Sequence, residues 1–190
     1  MRKLTLKIEQ DSEPFSPRDF DNLGVMICFH GRYELGDKHS LSIQEAKDLM
    51  AKMYDERNGV CLPIYLLDHS GLSISTSNAY PFNDRWDAGK VGFIYADKES
   101  IRKNFSIKAV SQKRLEQVRQ TLLSEVKTYN QYLTGDVYGY VLKDETGEVI
   151  DSCSGYYGEA EALEAGKESM ISNMNWEKKQ ETETQAIMAL

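Results

Sequence analysis

The side chains best suited to chemistry near neutral pH lie in polar loops of this sequence. His30, His39, His69 and Asp87 all fall in polar, glycine-containing stretches next to short apolar runs. Loops at strand ends are where binding and catalytic residues concentrate. Neighbouring strands of a sheet bring such ends together, so we expect at least two of these loops to form one surface near His39, His69 and Asp87. If a pocket forms there, histidine is the group expected to titrate near neutral pH.

A metal site or a cysteine nucleophile would each use part of this set. Imidazole and carboxylate groups suit several divalent metals, but the spacing of His30, Asp37, His39 and His69 demands none, so we predict no metal. Cys28 and His30 share one strand face, which could pair a nucleophile with a base. The apolar neighbours of Cys28 instead predict a buried thiol with a raised pKa.

The tripeptide Asp68-His69-Ser70, followed by Gly71, is more typical of a hairpin turn than of a catalytic triad. Adjacent residues at a strand end point to opposite sides, whereas a triad requires convergent geometry. Aspartate and glycine are common turn residues, and we expect Asp68 to bond backbone groups. The chain contains neither GxxxxGK[ST] nor GxGxxG, which excludes a standard nucleotide-binding motif. We predict no cofactor.

Hydrophobic periodicity predicts the strands and helices of the chain in the order β-β-α-β-β-β-α-β-β-α, which is typical of an α+β fold. The expected strands are 2–8, 25–29, 60–67, 72–77, 91–95, 137–142 and 148–153. The expected helices are 43–54, 97–105 (as a short helix or helical turn), 112–133 and one that follows Gly158. Because hairpins outnumber βαβ units, we predict a mostly antiparallel sheet with about three helices packed on one face.

The chain length favours a single domain over residues 1–176. Residues 177–190 are expected to be a flexible or partner-docking tail. One common core is predicted for Phe29, Ile64, Phe93, Leu122 and Val126. The inner face of the last helix is predicted to be Ala160, Leu163, Met170, Ile171 and Met174.

Charge is unevenly distributed along the chain. Residues 144–168 carry eight acids and one base, a net −7 that equals the formal charge of the whole chain, whereas residues 98–119 carry seven bases and two acids. Acidic surface repels phosphates, so no direct nucleic acid contact is expected. Tyrosine is enriched at protein interfaces. We therefore predict a protein-binding surface formed by Glu159, Glu161, Glu164, Tyr138 and Tyr140.

Targeting and redox signals point to a reducing compartment. No run approaches the roughly 18 apolar residues that a membrane span needs. The first nine residues alternate polar with apolar, unlike a signal peptide. The three cysteines, Cys28, Cys61 and Cys153, are widely spaced and form no zinc motif. We expect a protein of the cytoplasm, without a membrane partner.

Four segments carry a resemblance to a known family. They are Asp21-Asn-Leu-Gly with Cys28-Phe-His and Tyr33-Glu-Leu-Gly-Asp, then Tyr65-Leu-Leu-Asp-His-Ser-Gly, Trp86-Asp-Ala-Gly-Lys-Val-Gly-Phe-Ile-Tyr95 and Tyr132-Leu-Thr-Gly-Asp-Val-Tyr-Gly-Tyr140. Over most of residues 19–157 the chain resembles uncharacterised proteins encoded by bacteriophages and mobile elements. The resemblance implies a small phage accessory protein acting in the host cytoplasm. It transfers no catalytic residue.

Two functions remain open from the sequence. The first is a non-enzymatic protein-binding module that inhibits a host defence system through the acidic surface, with a host protein, such as a nucleic-acid-binding one, as partner. The alternative is a small enzyme or ligand-binding domain that uses the loops of His30, His39, His69 and Asp87. Convergence of those four side chains on one concave pocket would favour the second, and scatter would favour the first.

Overall fold

The computed structural model describes residues 3–55, 57–77 and 88–188, and these residues form two compact units. The terminal unit combines Met1–Phe15 with Gly135–Leu190, and the central unit is Ser16–Thr134. The sequence analysis predicted a single domain over residues 1–176. Hydrophobic periodicity identifies helices and strands, but it does not show which of them pack together. Both units mix helices with antiparallel strands, which confirms the α+β class.

The described residues contain seven strands and four α-helices. The strands are β1 (Thr5–Gln10), β2 (Val25–Cys28), β3 (Gly59–Asp68), β4 (Leu72–Ser75), β5 (Ala88–Asp97), β6 (Val137–Lys143) and β7 (Val149–Tyr157). The helices are α1 (Ile43–Met53), α2 (Lys98–Phe105), α3 (Gln112–Thr134) and α4 (Glu159–Met188). In the described part of the chain, no helix is both long and apolar enough to cross a membrane.

The central unit is built on a four-stranded antiparallel sheet with the order β2-β5-β3-β4. One face packs against α3, in a cluster that includes Ile64, Leu122 and Val126. The other face packs against Ala46 and Met53 of α1, in a cluster that includes Phe93 and, partly buried, Phe29. Because side chains alternate along a strand, the neighbours Phe93 and Ile94 belong to different clusters. The predictions of one common core and of helices on one sheet face were therefore wrong.

Pro63 lies inside this sheet at a place where its strand has one partner. It pairs with Phe93 of β5, whereas β4 pairs with β3 only between Tyr65 and Asp68. The register of β3 against β5 also shifts between Ile64 and Tyr65. Proline is tolerated at edges and bulges because it donates no ladder hydrogen bond. The short β4 leaves Pro63 at a local edge, and the register shift against β5 places an irregularity directly after it.

The terminal unit is a three-stranded antiparallel sheet, β1-β6-β7, with α4 packed on it. The β6–β7 turn is held by Asp144, whose Oδ1 accepts from Thr146 N at 2.9 Å and from Glu148 N at 3.0 Å. The chain returns from β7 into α4 at Gly158. Helix α4 then runs through most of the segment that the sequence analysis treated as a tail.

The face of α4 that meets the sheet is made of small residues. Ala162 is fully buried, and a Cβ added at Gly166 would lie 2.6 Å from Leu6 Cδ1 and 3.0 Å from Tyr140 Cβ. Leu163 and Ile171, predicted to face inward, are 37% and 58% exposed. The large apolar volume comes from the sheet, so the helix presents small residues to it. Pattern analysis of large residues alone selected the wrong face.

Replacing Gly166 by Ala tests this close packing. Overpacking costs about 1–3 kcal/mol, whereas Ala in place of Gly inside a helix gains about 1 kcal/mol. Because Leu6 and Tyr140 occupy the space of the new methyl, we expect Gly166→Ala to lower the urea midpoint. Ser172→Ala, at an exposed position of the same helix, should hold or raise it. A rise for Gly166→Ala would contradict the packing described.

Candidate ligand-binding site

The central unit contains an open cavity of about 900 Å³. Its wall is the segment 28–39, which follows β2, together with two tyrosines of α3 and Ser16 and Ile43. Ligand sites typically enclose about 300–1,000 Å³. The aromatic and imidazole side chains that line the cavity are Phe29, His30, Tyr33, His39, Tyr129 and Tyr132.

The loop beside the cavity is closed at its base by backbone pairing. Asp37 N donates to Met26 O at 2.8 Å, and Ile27 forms an isolated bridge with Gly36. Gly36 N donates to the Tyr129 hydroxyl at 3.0 Å, which ties the loop to α3. Residues 29–35 therefore project from a fixed base, with Leu35 buried beneath them.

A buried arginine holds the surrounding segments together. The Arg18 side chain is 4% exposed and donates through Nε and Nη2 to both carboxylate oxygens of Asp37, at 2.8 and 2.7 Å. Its Nη1 donates to Glu125 Oε2 at 3.2 Å, and Nη2 donates to Gly24 O at 2.6 Å. One guanidinium thus connects the loop before β2, the loop after β2 and α3.

The two carboxylates are also used by the backbone. Asp37 Oδ2 accepts from Met26 N at 2.8 Å, and Glu125 Oε1 accepts from Leu23 N at 2.9 Å. Burial by itself lowers the pKa of Arg18, but hydrogen bonds and charges of the two acids outweigh it and leave that pKa raised. Arg18 is therefore always charged, and Asp37 is committed to structure although it lines the cavity.

His39 is held in one orientation at the cavity wall. Its Nε2 lies 3.1 Å from Cys28 O, and a carbonyl can only accept, so Nε2 carries the proton. The other nitrogen, Nδ1, is buried and has no hydrogen-bond partner among the described residues. The ring also meets Phe29 edge-on, with centroids 4.8 Å apart. Because Nε2 is engaged by Cys28 O, the ring leaves Nδ1 without a partner among the described residues.

His30 belongs to a stack at the same cavity. Its ring lies parallel to Tyr33, with centroids 5.1 Å apart, and its Nδ1 accepts from Arg32 N at 3.3 Å. The Arg32 guanidinium lies 5.4 Å from the Tyr33 ring centroid. The stacked imidazole and phenol rings therefore form one side of the site, and the Arg32 guanidinium lies beside the phenol ring without lining the cavity.

His69 does not line this cavity, and Asp87 cannot be placed against it. His69 is exposed in the β3–β4 turn, where its N–H donates to Gly71 O at 3.1 Å. This is the predicted hairpin turn, although Asp68 forms an ion pair with Arg32. That ion pair links two of the four predicted loops. Asp87 lies outside the described residues.

Cys28 is buried, as the sequence analysis predicted, and Cys61 is buried as well. Burial, with a smaller contribution from Asp37, raises the pKa of the Cys28 thiol to about 12, despite an opposing effect of Arg18. Burial likewise raises the pKa of Cys61 to about 12. At neutral pH both are protonated thiols, which argues against Cys28 as a nucleophile paired with His30.

Thiol labelling offers a direct measurement of this environment. Cys153 is exposed, whereas Cys28 and Cys61 are buried. We expect an Ellman titration at pH 8 to find one fast-reacting thiol in the folded protein and three after denaturation, because only thiolates attack the reagent. Cys153→Ser should abolish the fast phase. Rapid labelling of Cys28 in that variant would contradict the buried site.

The predicted acidic surface is divided between exposed and buried side chains. Glu159, Glu161 and Glu164 are exposed on the first two turns of α4, and none forms an ion pair with a described residue. Tyr138 is half-buried. Tyr140 is only 7% exposed, and its hydroxyl donates to Asp151 Oδ2 at 2.8 Å. Its ring therefore offers little to a partner.

The sequence analysis missed the residues that complete the cavity. Tyr129 and Tyr132 are three residues apart on α3 and therefore lie on the same helix face. That spacing was the available signal. Arg18 lies in a short 3₁₀ turn, Pro17–Asp19, and no periodic pattern marks it.

Comparison of the chain with protein-family models, curated proteins and solved structures finds no match. Within the described ranges, no group of three or more His, Cys, Asp or Glu side chains is placed to hold a metal ion. The function is therefore inferred from the geometry of the site.

Proposed function

We propose that this protein is a small-molecule-binding domain, and that its site is the cavity between segment 28–39 and α3. The observation that carries the proposal is the convergence of His30 and His39 with Tyr129 and Tyr132 on one cavity of about 900 Å³. A concave site with a few polar groups among aromatic rings is the usual form of a ligand pocket. Phage accessory context, implied by the resemblance, remains part of this proposal.

The chemistry of the wall favours binding over catalysis. The Cys28 thiol is protonated at neutral pH, and Asp37 is engaged by Arg18 and by Met26 N. His39 uses one nitrogen to hold Cys28 O. No pair of described wall residues forms a hydrogen-bonded nucleophile and base, which is the arrangement covalent catalysis needs.

A fragment screen with a blocked variant tests this function. A Cβ added at Gly31 meets no atom within 4 Å, so Gly31→Trp places an indole at the cavity wall without backbone conflict. Gly89 is equally open and does not line the cavity, which makes Gly89→Trp the matched control.

We expect ligand-observed NMR to find fragments that bind wild type and Gly89→Trp but not Gly31→Trp. The proposal fails if a broad library yields no binders at millimolar concentration. It also fails if the binders are indifferent to Gly31→Trp.

A second candidate function is supported by the exposed start of α4. Glu159, Glu161 and Glu164 have no ion-pair partners among described residues, so their charges are available to a basic partner. Here the protein would bind a host protein through acidic surface and inhibit it. Such charges act mainly on association rate and specificity.

Charge reversal tests this second candidate. Glu159→Lys, Glu161→Lys and Glu164→Lys together should weaken capture of a host protein from bacterial lysate while leaving the fold intact. The loss should shrink as salt rises, because exposed charges are screened over about 8–10 Å. A control with Glu13, Glu99 and Glu116 reversed carries the same net charge at other exposed positions. Equal capture by both triple variants would remove the idea.

A further inference from the structure

The rings at the cavity are arranged in parallel pairs. Tyr129 and Tyr132 stack with centroids 6.0 Å apart and planes 13° apart. His30 and Tyr33 stack with centroids 5.1 Å apart and planes 14° apart. Flat aromatic faces favour offset stacking with another flat ring, so the wall is suited to a planar ligand more than to an aliphatic one.

One hydrogen-bond donor in this wall is not used by the protein. The Tyr129 hydroxyl accepts from Gly36 N, and its own hydrogen has no acceptor among the described residues. Burial is the main cause of a raised pKa at Tyr129, so the hydroxyl keeps its proton. His39 Nδ1 adds a buried ring nitrogen at the cavity wall that has no hydrogen-bond partner among the described residues. A ligand with acceptor and donor edges would satisfy both groups.

The charges at the cavity argue against a phosphorylated ligand. Lys38 is the one lysine or arginine among the described lining residues, and Glu34 and Asp37 line the same cavity. The chain has no Gly-rich phosphate motif. A polyphosphate would therefore meet more negative than positive charge among the described lining residues.

We infer that the cavity binds an uncharged, planar heteroaromatic compound of nucleoside size, stacked on the accessible rings of Tyr132, Tyr33 and His30 and hydrogen-bonded to the hydroxyl of the buried Tyr129. The inference rests on the proposed ligand-binding function and specifies its ligand class. Both the stacking and the donor are supplied by α3 and the 28–39 loop, which Arg18 holds together.

Calorimetric titration with defined probes tests the ligand class. The probes are adenosine, guanosine, cytidine and uridine, with ribose and adenosine 5′-monophosphate as comparators. We expect at least one nucleoside to bind, ribose not to bind, and the monophosphate to bind no more tightly than adenosine. Tighter binding of the monophosphate by tenfold or more would overturn the uncharged class.

Three variants locate the binding. Tyr132→Leu should weaken nucleoside binding at least about fivefold by removing a stacking face. Tyr129→Phe, which keeps the ring, should weaken it about two- to tenfold by removing one neutral hydrogen bond. Tyr54→Leu, at an exposed position outside the cavity, should not change it. Equal weakening by Tyr54→Leu, or none by either cavity variant, overturns the inference.

The two proposals fail in different ways. If no nucleoside binds but other fragments bind and are lost in Gly31→Trp, the heteroaromatic class is wrong and the ligand-binding function stands. If no compound of any class is lost in Gly31→Trp, both are wrong.

Discussion

Arg18→Met should destabilise the central unit by about 3–5 kcal/mol, the usual cost of removing one partner from a buried ion network. The substitution keeps most of the apolar stem of the side chain. It leaves the carboxylates of Asp37 and Glu125, which both pair with Arg18, without a cation. The same loss should loosen the cavity wall, since Asp37 anchors the end of the 28–39 segment. Urea unfolding followed by circular dichroism measures the first effect.

Two comparisons make this result specific to the buried network. Arg57→Met removes an ion pair whose arginine is 88% exposed, and such pairs are worth about 0–1 kcal/mol. Adding Asp37→Asn and Glu125→Gln to Arg18→Met should recover part of the lost stability, because amide oxygens still accept the backbone N–H groups without charge. A cost for Arg18→Met no larger than that for Arg57→Met would rule out the network as a stabilising element.

Leu122→Ala and Phe93→Ala should each lower the free energy of unfolding by about 2–5 kcal/mol, through lost burial and the cavity that remains. Leu122 is fully buried against one face of the central sheet, and Phe93 is 3% exposed on the other. Ile43→Ala, at a position 60% exposed, should cost less than about 0.5 kcal/mol.

The double variant distinguishes two clusters from one core. Residues without shared partners usually add within about 0.3–0.5 kcal/mol. We therefore expect the Leu122→Ala and Phe93→Ala costs to be additive in the double variant. A coupling above about 1 kcal/mol would indicate a single packed core, as the sequence alone had suggested.

Local signals in the sequence were sufficient for most elements. Ser42 followed by Glu45 is a capping-box sequence, and it begins α1, with Ser42 N donating to Glu45 Oε2 at 2.8 Å and Glu45 N donating to Ser42 Oγ at 3.3 Å. The hairpin turn at Ser70-Gly71 falls where predicted, and Thr146-Gly147 lies between the two strands expected on either side of it. Capping boxes and tight turns are determined by residues that are close in sequence, so they can be predicted from the sequence alone.

Features decided by distant partners could not be found in the same way. The strand run Val60–Leu67 reads as buried, but the sequence does not show which of its faces packs against α1 and which against the distant α3. His30 and His39 were identified as site candidates by residue type. Tyr129, Tyr132 and Arg18 were not, because the loop pairing that gives them a role is tertiary.

The division of the chain also sets an order of assembly. Strand β1 is made first, yet its partner β6 begins only at Val137, after the whole central unit. During synthesis β1 therefore has no β6 to pair with while the central unit, Ser16–Thr134, can already complete its own sheet. Closing a loop of this length costs entropy that grows slowly with length, and a folded insert shortens the effective gap. We expect the terminal unit to be the later and slower folding step, with β1 exposed to mispairing until β6 emerges.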